Sequence, residues 1–159
     1  MPTVLSAGDI AFVGFNFGNP DEFAFVTLVD IDAGTEVIFT DNGWFAAGGF
    51  RETESSFTWT APAFIAAGTV INPAVSSVAL AASGDQIIAY QGDHNAPIFV
   101  AAINSEGSNG LGIWQTDAVN SNASALPTGL VDGMTAIALS EIDNAIYSGT
   151  TSGTRAALL

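Results

Sequence analysis

The residues able to do chemistry in this chain are almost all carboxylates. Sixteen Asp and Glu stand against two Arg (Arg51 and Arg155) and one His, with no Lys and no Cys, for a formal net charge of −14 over 159 residues. Without Cys there is no thiol nucleophile, disulfide or thiolate zinc site; without Lys there is no Schiff base and no phosphate-gripping P-loop lysine. A Ser–His–Asp triad would have to use His94, in the turn-like "QGDHNAP", and no Gly-x-Ser-x-Gly elbow accompanies it. The spacing of a carboxylate pair for glycoside hydrolysis is invisible in sequence. The inventory points to a protein that is not an enzyme.

Carboxylates in turns suit a hard cation, which takes several oxygens from Asp, Glu, Asn and backbone carbonyls. Asp30 and Asp32 form an Asp-x-Asp at the end of an apolar run, and Asp21–Glu22, Asp41–Asn42 and Asp93–Asn95 occupy other turns. Asp21, Asp30, Asp32 and Asp41 are the candidate calcium ligands, with solvated turn carboxylates as the alternative at each. Neither an EF-hand loop nor a Gly-Gly-x-Gly-x-Asp repeat is present. The negative charge repels phosphate backbones and anionic lipid, which excludes nucleic acid and makes cations the natural counter-partners. Among the aromatics, Trp59 alternates with Phe57 and reads as core. Trp44 and Phe45, in "TDNGWF", and Trp114, in a later loop, read as caps on the fold, as contacts to a partner or as a glycan platform.

Short apolar runs with turn punctuation must position these groups. Strands are expected at Asp9–Phe15, Glu22–Val29, Thr35–Thr40, Ser55–Thr60, "GTVIN", "VSSVAL", Asp85–Gly92, Pro97–Asn104 and Met134–Ser140. Asn42-Gly43 reads as a tight turn closing the third, since both residues tolerate positive φ. "IDAGTEVIF" and "IAAGTVIN" share Ile-x-Ala-Gly-Thr, with Gly34 and Gly68 freeing the backbone before β-branched residues. Strands at such spacing predict one all-β domain over residues 1–159, a Greek-key or immunoglobulin-like sandwich of about 8–10 strands. A long loop at about 105–131, with "LGIW" and a helical turn, precedes the last strand and tail. No apolar run is long enough for a transmembrane helix, so no membrane insertion is expected.

"DEFAFVTLVDIDAGTEVIFTDNGWF", "FTWTAPAFIAAGTVI" and "SGDQIIAYQG" resemble the lamin-tail-type immunoglobulin-like β-sandwich found in large secreted bacterial proteins, over about residues 8–104. The resemblance implies a sandwich used for attachment or assembly and carries no catalytic residues. The acidic, Lys-free and Cys-free composition, with no cleaved signal at the start, is similar to that of type I secreted bacterial proteins. It implies a secreted or cell-surface location; a cytoplasmic acidic domain and a piece of a longer protein are the alternatives.

Face patterning then points to partners. A half-solvated strand alternates apolar and polar residues, yet "FAFVTLV", "AFVGF" and "IFVAAI" are apolar on both faces. Either the C-terminal third covers an outer face or neighbouring subunits do; the second is expected. Edge strands lack the guarding Lys of many soluble β-proteins, though acidic residues and Pro20, Pro62, Pro73 and Pro97 blunt them in part. The expected function is an extracellular structural protein that self-assembles into a filament, surface layer or biofilm matrix, by strand and apolar-face packing between copies with calcium neutralising carboxylates. The alternative is a calcium-dependent, glycan-binding adhesion module.

Overall fold

A computed structural model describes residues 1–75, 77–106 and 112–158. In chain order its elements are β1 (Ile10–Asn16), β2 (Glu22–Thr27), β3 (Glu36–Thr40), β4 (Ser56–Thr60), β5 (Val70–Ile71), β6 (Gln86–Asp93), β7 (Ala96–Asn104), β8 (Ala136–Ala138), β9 (Asn144–Ile146) and a terminal turn of helix α1 (Arg155–Leu158). They form the expected all-β sandwich, with a four-stranded sheet in the order β5-β2-β1-β9 and a five-stranded sheet in the order β4-β3-β6-β7-β8. Neighbouring strands pair antiparallel except β7 and β8, which are parallel.

The core between the sheets is aromatic. Alternation along β2 sends Phe23 and Phe25 inward, and alternation along β3 sends Val37 and Phe39 to meet them. Phe39 has four ring neighbours at 5.0–6.2 Å: Phe12, Phe23, Phe25 and Phe57. Trp59 meets Phe25 edge-on at 5.3 Å, which gives it the core role its spacing predicts. A bulge at Val100 lets both Val100 and Ala101 point inward, and the Val100 carbonyl accepts from the Gly8 N–H at 2.8 Å.

The two Ile-x-Ala-Gly-Thr stretches build matching turns. Gly34 and Gly68 both take positive φ, at 80° and 88°. Thr35 Oγ1 donates to the Asp32 carbonyl and Thr69 Oγ1 to that of Ala66, each at 2.7 Å. Ile31 and Ile65 exchange two backbone hydrogen bonds of 2.8 Å, tying the turns together.

Two local expectations fail for long-range reasons. "VSSVAL" is not a strand where described (Ser76 lies outside the described residues): its last amides bond to carboxylates rather than to a ladder, as set out below. Nor does the chain turn at Asn42-Gly43, where neither residue has positive φ. It runs on to Trp44, which bridges to Phe50, and reverses at Phe45–Gly49, where Gly48 and Gly49 carry the positive φ. Gly43 is needed because the Ala123 carbonyl occupies the place a Cβ would take.

The outer faces are treated differently. The five-stranded sheet is covered by its own chain: Trp44, Phe50, Trp114, Leu126, Leu130 and Ala136 pack on Ile38, Ile88, Tyr90, Phe99 and Ala102. Coverage of β7 by neighbouring subunits is therefore not required; the C-terminal third supplies it. Of the 105–131 loop and the tail, residues 107–111 and Leu159 lie outside the described residues. The outer face of the four-stranded sheet has no such cover among the described residues, which leave the two-faced pattern of β1 and β2 unanswered. β9, not expected from sequence, pairs three residues with the end of β1.

Gly43→Ala is expected to destabilise the fold by about 1–3 kcal/mol, because the added methyl must displace the 118–125 segment. Urea unfolding measures this, and the same substitution at Gly14, which has no positive φ and whose Cβ would meet nothing nearer than the Ala145 carbonyl at 3.5 Å, should cost much less.

Candidate functional site

The carboxylates gather where β3 and β6 reach one end of the sandwich. Asp41 follows β3 and is almost fully buried, and Asp85 precedes β6 and is fully buried. Both lie in phase with the inward-pointing residues of their strands, Val37 and Phe39 on β3 and Ile87 and Ala89 on β6. Successive amides of one segment are shared among three Asp: the N–H of Ala79 donates to Asp41 Oδ2 at 3.1 Å, that of Leu80 to Asp21 Oδ2 at 3.0 Å, and that of Ala81 to Asp85 Oδ2 at 2.8 Å. Asp41 Oδ1 also accepts from Ser55 N–H, and Asp85 Oδ1 from Gln86 N–H, each at 2.8 Å. The three carboxylates thus act as a clamp that holds Val78 and Leu80 in the core.

Burial dominates the electrostatics of this end. It pushes the Asp85 carboxyl up to about 8 against the pull of its two amide donors, and the negative charges of Glu54 and Asp41 add to the effect. Glu54 is pushed up to about 7, by burial first and then by Asp41. Burial also raises Asp41, more than its backbone donors lower it. Two acceptors here are buried without a partner, Glu54 Oε2 and Gln86 Oε1. The Gln86 amide donates through Nε2 to the carbonyls of Asp41 and Ser121.

Of the four candidate calcium ligands, Asp21 and Asp41 come together in this clamp, close enough for the charge of Asp21 to act on Asp41. Asp30 and Asp32 do not join them. Asp30 accepts from Ala67 N–H at 2.8 Å in the linked turns, and Asp32 lies 3.6 Å from the N-terminal ammonium. Among the described residues no three His, Asp or Glu side chains stand close enough to hold one metal ion. Asp85, Glu54 and Gln86 escaped the sequence reading. "SGDQ" shows a strand start but not that its Asp turns inward beside Asp41.

Trp44 is 7 % exposed and sits edge-on to Phe50 and Phe99, at 5.1 and 4.8 Å. Its backbone N–H donates to Ser124 Oγ and its indole N–H to Thr128 Oγ1. The ring is enclosed by its own chain, whereas a sugar platform needs an open aromatic face. Trp114 is half-buried, its indole N–H donating to Asp132 Oδ1 at 3.1 Å, and Phe45 is half-buried at the reversal. His94 stacks on Phe50 at 4.8 Å with Nε2 3.1 Å from Glu52 Oε1 and Nδ1 3.3 Å from the Tyr90 hydroxyl.

A second feature is the open outer face of the four-stranded sheet. Ala11, Val26 and Val70 form one cross-strand row, and Ala24, Gly14 and Ile146 form the next. Val70 is 61 % and Ile146 83 % exposed. Glu22 stands in the following row with Asn16 and Asn144, and all three line the same shallow hollow as Gly14 and Ala24.

The clamp makes stability depend on pH in a defined direction. Asp85 and Glu54 titrate higher folded than unfolded, so between about pH 4 and pH 8 the folded chain binds more protons. Their contribution is present at acid pH and lost as pH rises through that window. Thermal melts should therefore show the midpoint rising from pH 8 to pH 5, and Asp85→Asn should flatten that slope even where it lowers the midpoint itself.

Compared with protein-family profiles, curated proteins and solved structures, the chain matches none.

Proposed function

We infer that this chain is an extracellular structural protein that self-assembles, as the subunit of a filament, surface layer or biofilm matrix. The observation that carries this reading is the uncovered apolar outer face of the four-stranded sheet. On a chain of net charge −14, such a face is a place where copies can meet without opposing carboxylates, and burying it removes apolar surface from water. Three of the sheet edges are short, β5 with two residues and β8 and β9 with three each. Face packing is therefore the leading contact, with strand addition secondary. Divalent cations, calcium foremost, enter this reading by screening the remaining charge between copies. The Lys-free, Cys-free composition and the lamin-tail-like turn pattern support a secreted module used for assembly.

Light scattering and negative-stain microscopy, with calcium and then with EDTA, test the reading. Assembly should grow with concentration, weaken in EDTA and be abolished by Val26→Glu, which sets a carboxylate on the open face. A wild-type chain that stays monomeric at high concentration with calcium present would overturn it.

A further inference from the structure

The two buried acceptors that lack a donor, Glu54 Oε2 and Gln86 Oε1, belong to one place in the fold. Thr40 pairs with Ser56 on one side and with Ile88 on the other. Two residues further along, on the same face, Asn42 therefore stands between Glu54 and Gln86. Side-chain bonds agree with this placement. The Glu54 N–H donates to Asn42 Oδ1 at 2.9 Å, and Gln86 Nε2 donates to the carbonyl of Asp41, the residue before Asn42. Two long side chains thus flank a short one, and Gln86 is fully buried. An acceptor left unpaired away from water is costly. One proton satisfies both oxygens, without the six or more that a calcium ion takes. Burial and the charge of Asp41 push the Glu54 carboxyl up to about 7, so that proton is at hand near neutral pH.

We propose that Glu54 and Gln86 form a proton-operated latch: the protonated Glu54 carboxyl donates through Oε2 to Gln86 Oε1, and loss of that proton loosens the 118–125 segment from the outer face of the five-stranded sheet. The segment is tied down where Glu54 acts. Gln86 Nε2 donates to the Ser121 carbonyl at 2.7 Å and Arg51 Nη1 to the Ala118 carbonyl at 2.9 Å. The Arg51 charge in turn acts on Glu54. With Glu54 protonated, Gln86 is held on one side by the carboxyl and keeps its other side on Ser121. With Glu54 ionised, two negative oxygens oppose each other, and the Arg51 guanidinium is drawn from Ala118 towards the carboxylate.

The surrounding charges set the direction. Asp41 raises Glu54, Glu54 and Asp41 raise Asp85, and Asp21 acts on Asp41. Glu52 is engaged with His94, and Asp117 with the amides of Ala46 and Ala118. Residues 118–125 contain no acidic or basic side chain. The tie is therefore present at acid pH and lost as pH rises through about 7. It lies away from the open face of the four-stranded sheet and does not depend on copies meeting.

Hydrogen exchange on the full chain at about pH 5.5 and about pH 8.5, corrected for base catalysis, tests the latch. The Ser124 and Ala125 amides donate to Gln115 Oε1 and to the Trp44 carbonyl. On going to the higher pH they should lose at least about tenfold more protection than amides of the β6–β7 ladder, which report global stability. Glu54→Gln, whose side-chain amide can donate at either pH, should keep that protection at the higher pH, and Glu54→Ala should lack it at both. A wild-type loss that only matches the ladder, or one that survives in Glu54→Gln, overturns the latch. In the wild-type chain the Gln86 side-chain amide signals should shift with a midpoint near 7. A midpoint below about 5, the range of an ordinary Glu, overturns it without any variant.

Discussion

The fold turns on one constraint: β6 and β7 carry large apolar side chains on both faces, and leaving either face in water is costly. The four-stranded sheet answers one side with a layer of rings around Phe39. The other side must be answered from within the chain, and the answer is the C-terminal third together with Trp44 and Phe50. The path after β3 follows from this. The chain passes straight through Asn42 and Gly43 so that Trp44 reaches Phe99, and Gly43 gives up its side chain to let the Ala123 carbonyl pass.

The lack of cations shapes the interior as well as the surface. In a chain with two Arg and no Lys, buried carboxylates find their partners in backbone N–H groups. Buried Asp41 and Asp85 share the amides of residues 79–81 with half-buried Asp21, and even the exposed Asp30 takes an amide, that of Ala67. Arg155 is used in the converse way. It pairs with Asp9 at 3.0 Å and donates to the carbonyls of Ala7 and Gly8, fastening the C-terminal tail to the start of β1. Asp41 and Asp85, buried and held by backbone amides, are raised rather than lowered in pKa because neutral donors do not offset the loss of water.

The two functional features answer to the same physics from opposite ends. At the clamp, carboxyl groups are drawn into the fold, where backbone amides hold them and burial works against their charge. On the open face Glu22 stands with Asn16 and Asn144 beside apolar rows that remain exposed. The opposition between a charged body and a near-neutral face is the observation on which the proposal of self-assembly rests.

Much of this was written in local pattern. Period-two alternation and glycine punctuation located β1 to β4, β6 and β7, and the repeated Ile-x-Ala-Gly-Thr gave its two turns, because side-chain alternation and glycine backbone freedom act over a few residues. What alternation could not say was which apolar face would be covered from within the chain. That depended on contacts such as the one from Trp44 N–H to Ser124, 80 residues away. The same distance in sequence hid the meeting of Asp21, Asp41 and Asp85, and the pairing of Ile146 with Gly14 in a segment that reads as tail. Local sequence determined most strands and the two Ile-x-Ala-Gly-Thr turns because their energetics are local; tertiary structure alone decided the fate of "VSSVAL" and Asn42-Gly43, which carboxylates met and which face stayed open, because burial is a property of the whole chain.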